Sequence, residues 1–402
     1  MKVLNNITLL LVYLNASLLV FPDKIKPYLI FSLFLSIALR KFKLKTKQKY
    51  NHKKLFISIG FFCILIVSCF LSENSYVGFK KLESSASLVV FPLIFYLLAG
   101  DSQILNTKSF NVIKKIIVFT TLFFLVFSFN YFYITEPFYT FKSTLVHYSN
   151  LINIRNTGFL IHPIYLSIYT GVSIIFCLDL FLKDKRYVFF ALSLILLVFM
   201  GILNKKGPIL SLVLVGGFYV FRERLYFKKS IYLIPVFLLL LVAIVFLPKY
   251  KNVNGFVELK HLIEQKSKTS SSTGIRLQIY DCTIHKITES PILGYGIGDV
   301  NDVLNNCYLT SKTLPLEKNY NTHNQYFSIW LSAGIFGLTA FLFYLFTVLK
   351  VAKKQNFKIF YLISLFFILN MLTENILERE DGVIFFSFLI NLYLFKNDVI
   401  DG

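Results

Sequence analysis

Apolar runs long enough to cross a bilayer recur along this chain from one end to the other, and they leave very few folds open to it. A helix needs about 17–25 such residues to span the hydrocarbon core. Inside lipid every backbone N–H and C=O must be satisfied within the protein, so helices and closed barrels are the spanning structures available. A barrel strand would alternate apolar and polar residues over short segments, whereas the runs here are continuous. The composition agrees. Of the 402 residues 56% are hydrophobic, Phe alone occurs 45 times, and 16% are charged, against roughly 25% in soluble domains. The mean hydropathy is +0.65. The chain therefore reads as all-α: a polytopic integral membrane protein of about twelve transmembrane helices. The expected spans are 7–21, 28–39, 55–71, 86–99, 116–134, 158–182, 187–203, 208–221, 231–247, 323–349, 357–373 and 383–395.

A net charge of +21 raises the question of nucleic acid, and the placement of the charges argues against it. Lys and Arg lie mainly in short loops between apolar runs, which is how membrane topology is encoded. The loop Arg-Lys-Phe-Lys-Leu-Lys-Thr-Lys-Gln-Lys, starting at Arg40, is the strongest cytoplasmic signal. Placing it inside also places the basic stretches 183–186, 222–229 and 350–358 inside, so four loops agree. Both termini are then cytoplasmic, and the long polar segment 248–322 lies outside with the loop 136–157 and the turn Asn204-Lys205-Lys206-Gly207. The expected organisation is a nine-span membrane region (1–247), an outer loop with amphipathic helices before the tenth span (248–322), and a three-span membrane region (323–402). The first apolar run lacks a small-residue cleavage site, so no cleavable signal is expected.

Chemistry is expected at the outer end. Two lysines, Lys205 and Lys206, stand on the side where cations are least expected. They are either snorkelling cations at a helix end or a patch for an anionic head group, with the free N–H groups of a helix starting near Pro208 adding to the field. Arg276 opens an amphipathic segment, 275–290, expected to be helical and to lie along the membrane surface. A guanidinium there suits bidentate phosphate binding, or pairs with Asp281 or lipid phosphate. Pro291 ends that helix, and Gly294, Gly296 and Gly298 allow a tight turn. His323 and Asn324 open the next span, where a neutral imidazole can accept a proton or orient a hydroxyl; an interfacial histidine at a helix start is the plainer reading. Glu374, in the acidic stretch that ends at Asp381, reads equally as a solvated loop, and His162 before Pro163 as a structural residue. The glycine turn lacks the Lys-Ser/Thr of a phosphate loop. Gly-x-Ser-x-Gly, His-Glu-x-x-His and Asp-x-Asp are absent from the chain.

The ordered set of motifs resembles the O-antigen ligase/O-antigen polymerase superfamily of bacterial membrane glycosyltransferases. The matching parts are Lys80 to Phe95, His162-Pro163-Ile164-Tyr165, Asn204-Lys205-Lys206-Gly207, Gly274-Ile275-Arg276, the turn Pro291-Ile292-Leu293-Gly294-Tyr295-Gly296, His323-Asn324-Gln325-Tyr326, Gly334-Ile335-Phe336-Gly337 and Glu374. Members usually carry arginine where Lys206 stands; lysine keeps the charge without the bidentate fork, and Lys205 could serve instead. The resemblance implies a GT-C-like inner-membrane enzyme with its active site on the periplasmic face. It would move a glycan from undecaprenyl diphosphate to an acceptor hydroxyl without metal or other cofactor. Arg276 and His323 would be catalytic, Lys205, Lys206 and Arg276 would hold the diphosphate, and Asn324, Glu374 and His162 would support them. The partners implied are the lipid-linked donor, a lipid A-core or other glycan or protein acceptor, and membrane lipids.

Within the superfamily the single dominant outer loop, late in the chain, favours a ligase. A polysaccharide polymerase often has two substantial outer loops, and a protein O-oligosaccharyltransferase is the third branch. A polysaccharide or lipid transporter would show inverted repeats and mid-span ionisable groups, and neither stands out. Cys282 and Cys307 would face an oxidising periplasm and are expected to form a disulfide bracing the loop.

Overall fold

The computed structural model describes residues 2–44, 52–99, 101–136, 140–153, 161–223, 272–311, 320–354 and 357–396. The ninth expected span, 231–247, and the first part of the outer loop lie outside the described residues. Among the described residues the regular structure is entirely helical. The helices are α1 (Lys2–Ala16), α2 (Lys26–Leu44), α3 (His52–Phe70), α4 (Ser75–Ser84), α5 (Ser87–Leu98), α6 (Thr107–Thr135), α7 (Phe141–Leu151), α8 (Pro163–Asp184), α9 (Tyr187–Leu203) and α10 (Lys206–Glu223). After the undescribed stretch come α11 (Ser272–Glu289), α12 (Val300–Ser311), α13 (Gln325–Lys354), α14 (Lys358–Asn370) and α15 (Glu380–Leu394).

Among the described residues five segments are long and apolar enough to cross a membrane: α3, the run Ser75–Leu98 that joins α4 and α5, α6, α8 and α13. Tyr187–Leu203, Lys206–Phe221 and Lys358–Asn370 are shorter apolar helices. The span expected over 86–99 is thus preceded by a further helix, begun by Asn74, whose side chain accepts from Val77 N–H. α8 is the most enclosed of the long helices. Its Gly171 lets the Phe366 ring of α14 approach so closely that an added Cβ would sit 2.4 Å from that ring. Large apolar side chains left exposed on α6 and α13, among them Phe119, Phe123, Phe336 and Phe346, are the faces a lipid phase would cover.

Ion pairs and hydrogen bonds sort the helix ends into two groups. At one end Lys26 pairs with Asp381 (2.5 Å), Asp299 accepts from the backbone N–H groups of Glu73 and Asn74 (2.7 and 2.8 Å), and Arg276 pairs with Glu374. At the other end Arg40 pairs with Asp101, Lys114 with Asp179 (2.6 Å), and Lys54 donates to the Leu394 carbonyl. This grouping matches the alternation of loop sides expected from the basic stretches.

α13 is broken. Ala333 and Gly334 leave the helical conformation, with Gly334 at φ +60° and ψ −162°. The turn 291–298 fills the break. Tyr295 and Gly296 N–H donate to the Leu331 and Ser332 carbonyls (2.7 and 3.0 Å), and Ile335 N–H donates to the Pro291 carbonyl (3.0 Å). The Ser68 hydroxyl also donates to Ser332 O (2.6 Å). Helical carbonyls freed by the break are thereby satisfied by main chain from the turn 291–298.

α11 and α12 form a small cap. The segment expected to be an amphipathic helix buries Ile279, Cys282 and Ile287 against Val300, Leu304, Cys307 and Tyr308 of α12 and Leu331 of α13, and leaves Leu277 and Ile284 exposed. Its buried face is used within the chain, because the Cys282–Cys307 disulfide, with a Cα–Cα distance of 5.9 Å, ties α11 to α12. The expected disulfide is therefore formed.

Two outcomes follow. A Cβ on Gly334 would lie 1.9 Å from Ile292 O, so Gly334→Ala should destabilise the purified protein by about 3 kcal/mol or more. Gly217→Ala, with open space around it, should change stability by less than about 1 kcal/mol; thermal unfolding in detergent compares them, and equal midpoints would contradict the splice. Cys282→Ser combined with Cys307→Ser should lower stability by roughly 2–4 kcal/mol, read from the same curves.

Candidate functional site

The carboxylate of Glu374 is a meeting point at the first of the two ends. Its Oε1 lies 2.5 Å from Arg276 Nη2 and its Oε2 lies 3.4 Å from His323 Nδ1. The Glu374 side chain is 10% exposed, those of Arg276 and His323 28% and 25%, so the pair is desolvated enough for charge to matter yet open to a ligand. Arg276 bonds Glu374, and among the described residues no ion pair to Asp281 is formed.

Each group is brought there by a local device. Asn324 is the N-cap of α13: its Oδ1 accepts from Tyr326 and Phe327 N–H (3.0 and 3.1 Å), and its Nδ2 donates to Leu372 O (3.2 Å). It fixes the helix start and makes no contact with the carboxylate of Glu374. His323, one residue earlier, sits at φ +46°, a left-handed conformation that costs a non-glycine residue about 1–2 kcal/mol. Several partners hold it there. Asn321 Oδ1 accepts from His323 N–H (3.1 Å) and the Tyr280 hydroxyl donates to His323 O (3.3 Å). The Thr322 hydroxyl lies 3.1 Å from Asn375 Oδ1. Glu378 in turn accepts from Asn321, Ser328 and Asn375. Strain maintained by so many contacts is a mark of a functional position.

Lys205 arrives from the turn between α9 and α10. Asn204 ends α9 in the left-handed conformation (φ +50°), and Gly207 presses the turn against Thr373, where a Cβ would lie 2.3 Å from the hydroxyl. Lys205 thus stands in the field of Glu374 and Arg276. Burial lowers its pKa, Glu374 raises it, and Arg276 lowers it further, with a net downward shift. Lys206 is exposed at the first position of α10. Lys205 is the more buried of the two and feels the Glu374 charge.

His162 caps α8, with Nδ1 accepting from Ile164 N–H (3.4 Å) ahead of Pro163. Burial lowers its pKa to about 4, with Arg379, Lys205 and His323 adding to the shift. It is neutral at ordinary pH, an uncharged wall beside the cations. Sequence reasoning weighed Asn375 and Glu378 only as part of a solvated acidic stretch, and it missed Tyr280, Asn321 and Thr322. Tyr280 was within reach, since it follows Arg276 by four residues and shares its helix face. The others lie in irregular chain that no periodicity marks.

Chemically, two cations converge on one carboxylate, which suits a polyanionic ligand able to displace it. An imidazole whose Nδ1–H faces a carboxylate keeps Nε2 as a proton acceptor.

Fold and site together define a multi-pass membrane protein with a charged centre at one end of its helices. The family model described as O-antigen ligase matches residues 191–342, a stretch that holds Lys205, Lys206, Arg276, His323 and Asn324. An O-antigen ligase of Salmonella typhimurium is 28% identical over 167 residues, 41% of this chain and 40% of that protein. An uncharacterized protein of Haemophilus influenzae is 24% identical over 184 residues, 44% and 46% of the two chains. The matched stretches span less than half the length of these curated relatives. The resemblance to the O-antigen ligase superfamily is thereby shown.

The depressed His162 fixes a sign. Its folded pKa lies below the ordinary 6.5, so its contribution to stability is complete above about pH 6.5 and is lost as pH falls toward 4. Thermal midpoints should fall between pH 7 and 5 more steeply for the natural chain than for His162→Asn, which can still cap α8. Parallel profiles would contradict this placement of the charges.

Proposed function

We propose that this protein is an O-antigen ligase-like glycosyltransferase of the bacterial inner membrane, with both termini in the cytoplasm and its active site on the periplasmic face. It transfers a glycan from undecaprenyl diphosphate to an acceptor hydroxyl, that of lipid A-core. The observation that carries the reading is the meeting of Arg276 and His323 on Glu374, within the field of which Lys205 also lies, at the end of the helices opposite the basic loops. The family match supports the reaction class.

In this reading Arg276 and Lys205 hold the donor's diphosphate where the lipid's phosphates meet the membrane surface. The acceptor oxygen attacks the anomeric carbon, and the bond from that carbon to the phosphate oxygen breaks. The electron pair leaves with undecaprenyl diphosphate, and the two cations stabilise the charge that develops there. His323 Nε2 takes the proton of the attacking hydroxyl. The donor carries its own leaving group, so a nucleotide sugar is not required. Lys206, exposed on the next helix, adds positive field.

Purified protein given an undecaprenyl diphosphate-linked oligosaccharide should modify lipid A-core when both are present. Arg276→Ala should lower kcat/KM by on the order of 10²–10³, and His323→Ala should lower kcat by on the order of 10²–10⁴. Arg276→Lys should recover part of the loss, because it restores charge without the planar fork. A ladder of longer lipid-linked glycans from donor alone would make the enzyme a polymerase. Transfer to protein would place it in the third branch. Activity that survives both alanine substitutions in folded protein would overturn the site.

A further inference from the structure

Glu374 is the odd member of this centre. A site for a diphosphate gains nothing from a nearly buried carboxylate bonded to its arginine, because a carboxylate and a phosphate compete for the same guanidinium fork. The geometry is also lopsided. Glu374 Oε1 is 2.5 Å from Arg276 Nη2, while Oε2 is 3.4 Å from His323 Nδ1, the edge of hydrogen-bonding reach. One carboxylate thus serves the diphosphate-binding residue tightly and the proton acceptor loosely. It is held between them by its neighbours. Glu374 N–H donates to Asn370 O and Ile376 N–H donates to Glu374 O (3.0 and 3.1 Å), so the backbone is pinned and the side chain is left to choose its partner.

We infer that Glu374 is an exchangeable counter-ion: it occupies the anion position at Arg276, is displaced by the donor's diphosphate, and then pairs with His323. The inference rests on the glycosyl-transfer reading above and assigns Glu374 a positioning role within it. The diphosphate takes over Arg276, and Lys205 offsets the added charge. The displaced carboxylate closes on His323 Nδ1, fixes the tautomer with Nε2 free, and stabilises the imidazolium that forms when Nε2 takes the acceptor's proton. A centre built this way resists transfer to water or acceptor before the diphosphate has docked.

The test uses full-length protein in detergent, with farnesyl diphosphate and inorganic pyrophosphate as probes and farnesol as the uncharged control. Glu374→Gln keeps the side chain's shape and removes the competing charge. It should bind farnesyl diphosphate on the order of tenfold more tightly than the natural chain, the loss of one charge-assisted competitor, and turn over the glycan donor with a lower KM and a kcat reduced at least tenfold. Glu374→Asp, one methylene shorter, should shift binding in the same direction by less, and gives the result a second footing should Glu374→Gln fold poorly. Tightening seen with pyrophosphate as well places the effect at the diphosphate; tightening confined to the farnesyl probe, or shared by farnesol, places it in the lipid contact and overturns the exchange. Unchanged or weaker diphosphate binding in Glu374→Gln overturns it too, as does tighter binding with an unaltered kcat. Arg276→Ala separates the two levels of the argument. If it abolishes diphosphate binding while Glu374→Gln fails to tighten it, the exchange alone is wrong. If Arg276→Ala binds as well as the natural chain, the transfer reading fails and the exchange falls with it.

Discussion

The structure depends on a helix that is broken and then mended by another part of the chain. In a bilayer an unwound stretch of helix leaves carbonyls and N–H groups that no water can satisfy, at several kcal/mol each. α13 meets this constraint with the turn 291–298, which donates to Leu331 and Ser332 and accepts from Ile335. The turn can come so close because Gly334 presents no Cβ to the Ile292 carbonyl. On its other side Gly296 meets Ser72, and Asp299 caps the two backbone N–H groups that follow α3. One loop is therefore stitched to two membrane helices, and its position relative to them is fixed at several points.

The site inherits that rigidity. α11 leads into the stitched turn and α12 leads out of it, and the disulfide closes the pair into a cap. Arg276, near the start of α11, is thereby suspended over the start of α13, where Asn324 caps the helix and His323 is held at positive φ. The segment after α14 supplies Glu374 from below, fastened by Gln325 N–H donating to Met371 O and by the Gln325 side chain accepting from Leu377 N–H. Four separate stretches of chain, around Lys205, Arg276, His323 and Glu374, thus meet without any one of them being long. Groups held on a supported frame of this kind would lose little entropy on binding a ligand.

Much of this was legible in the sequence, and the reasons for the rest are physical. The helical spans follow from apolar length, and the pairing of their ends follows from where the basic stretches lie. The break in α13 could not be read, because Ala333-Gly334-Ile335-Phe336-Gly337 sits in an unbroken apolar run and glycine is common in membrane helices. The glycine pattern 294–298 pointed to a turn, while the surface it docks against was invisible. Arg276 and His323 stood out as a lone cation and a lone imidazole at helix starts. How deeply Lys205 is set depends on the left-handed Asn204 and on Gly207 meeting Thr373, and neither is written in the local pattern. Glu374 read as part of a solvated acidic run because its burial comes from contacts nearly 100 residues away in sequence. The amphipathic pattern of 275–290 marked a helix of which Ile279 and Ile287 pack on α12 and α13 while Leu277 and Ile284 remain exposed, a division that periodicity alone does not give.

The central claim is that Arg276 and Lys205 form the seat of a lipid diphosphate. The most direct measurement is a structure of the full chain in a lipid nanodisc with undecaprenyl diphosphate bound. The account predicts density for the two phosphates between Arg276 and Lys205, with the lipid tail leaving toward the exposed apolar faces of the helices. Diphosphate density elsewhere, with the Arg276–Glu374 pair undisturbed, would contradict it.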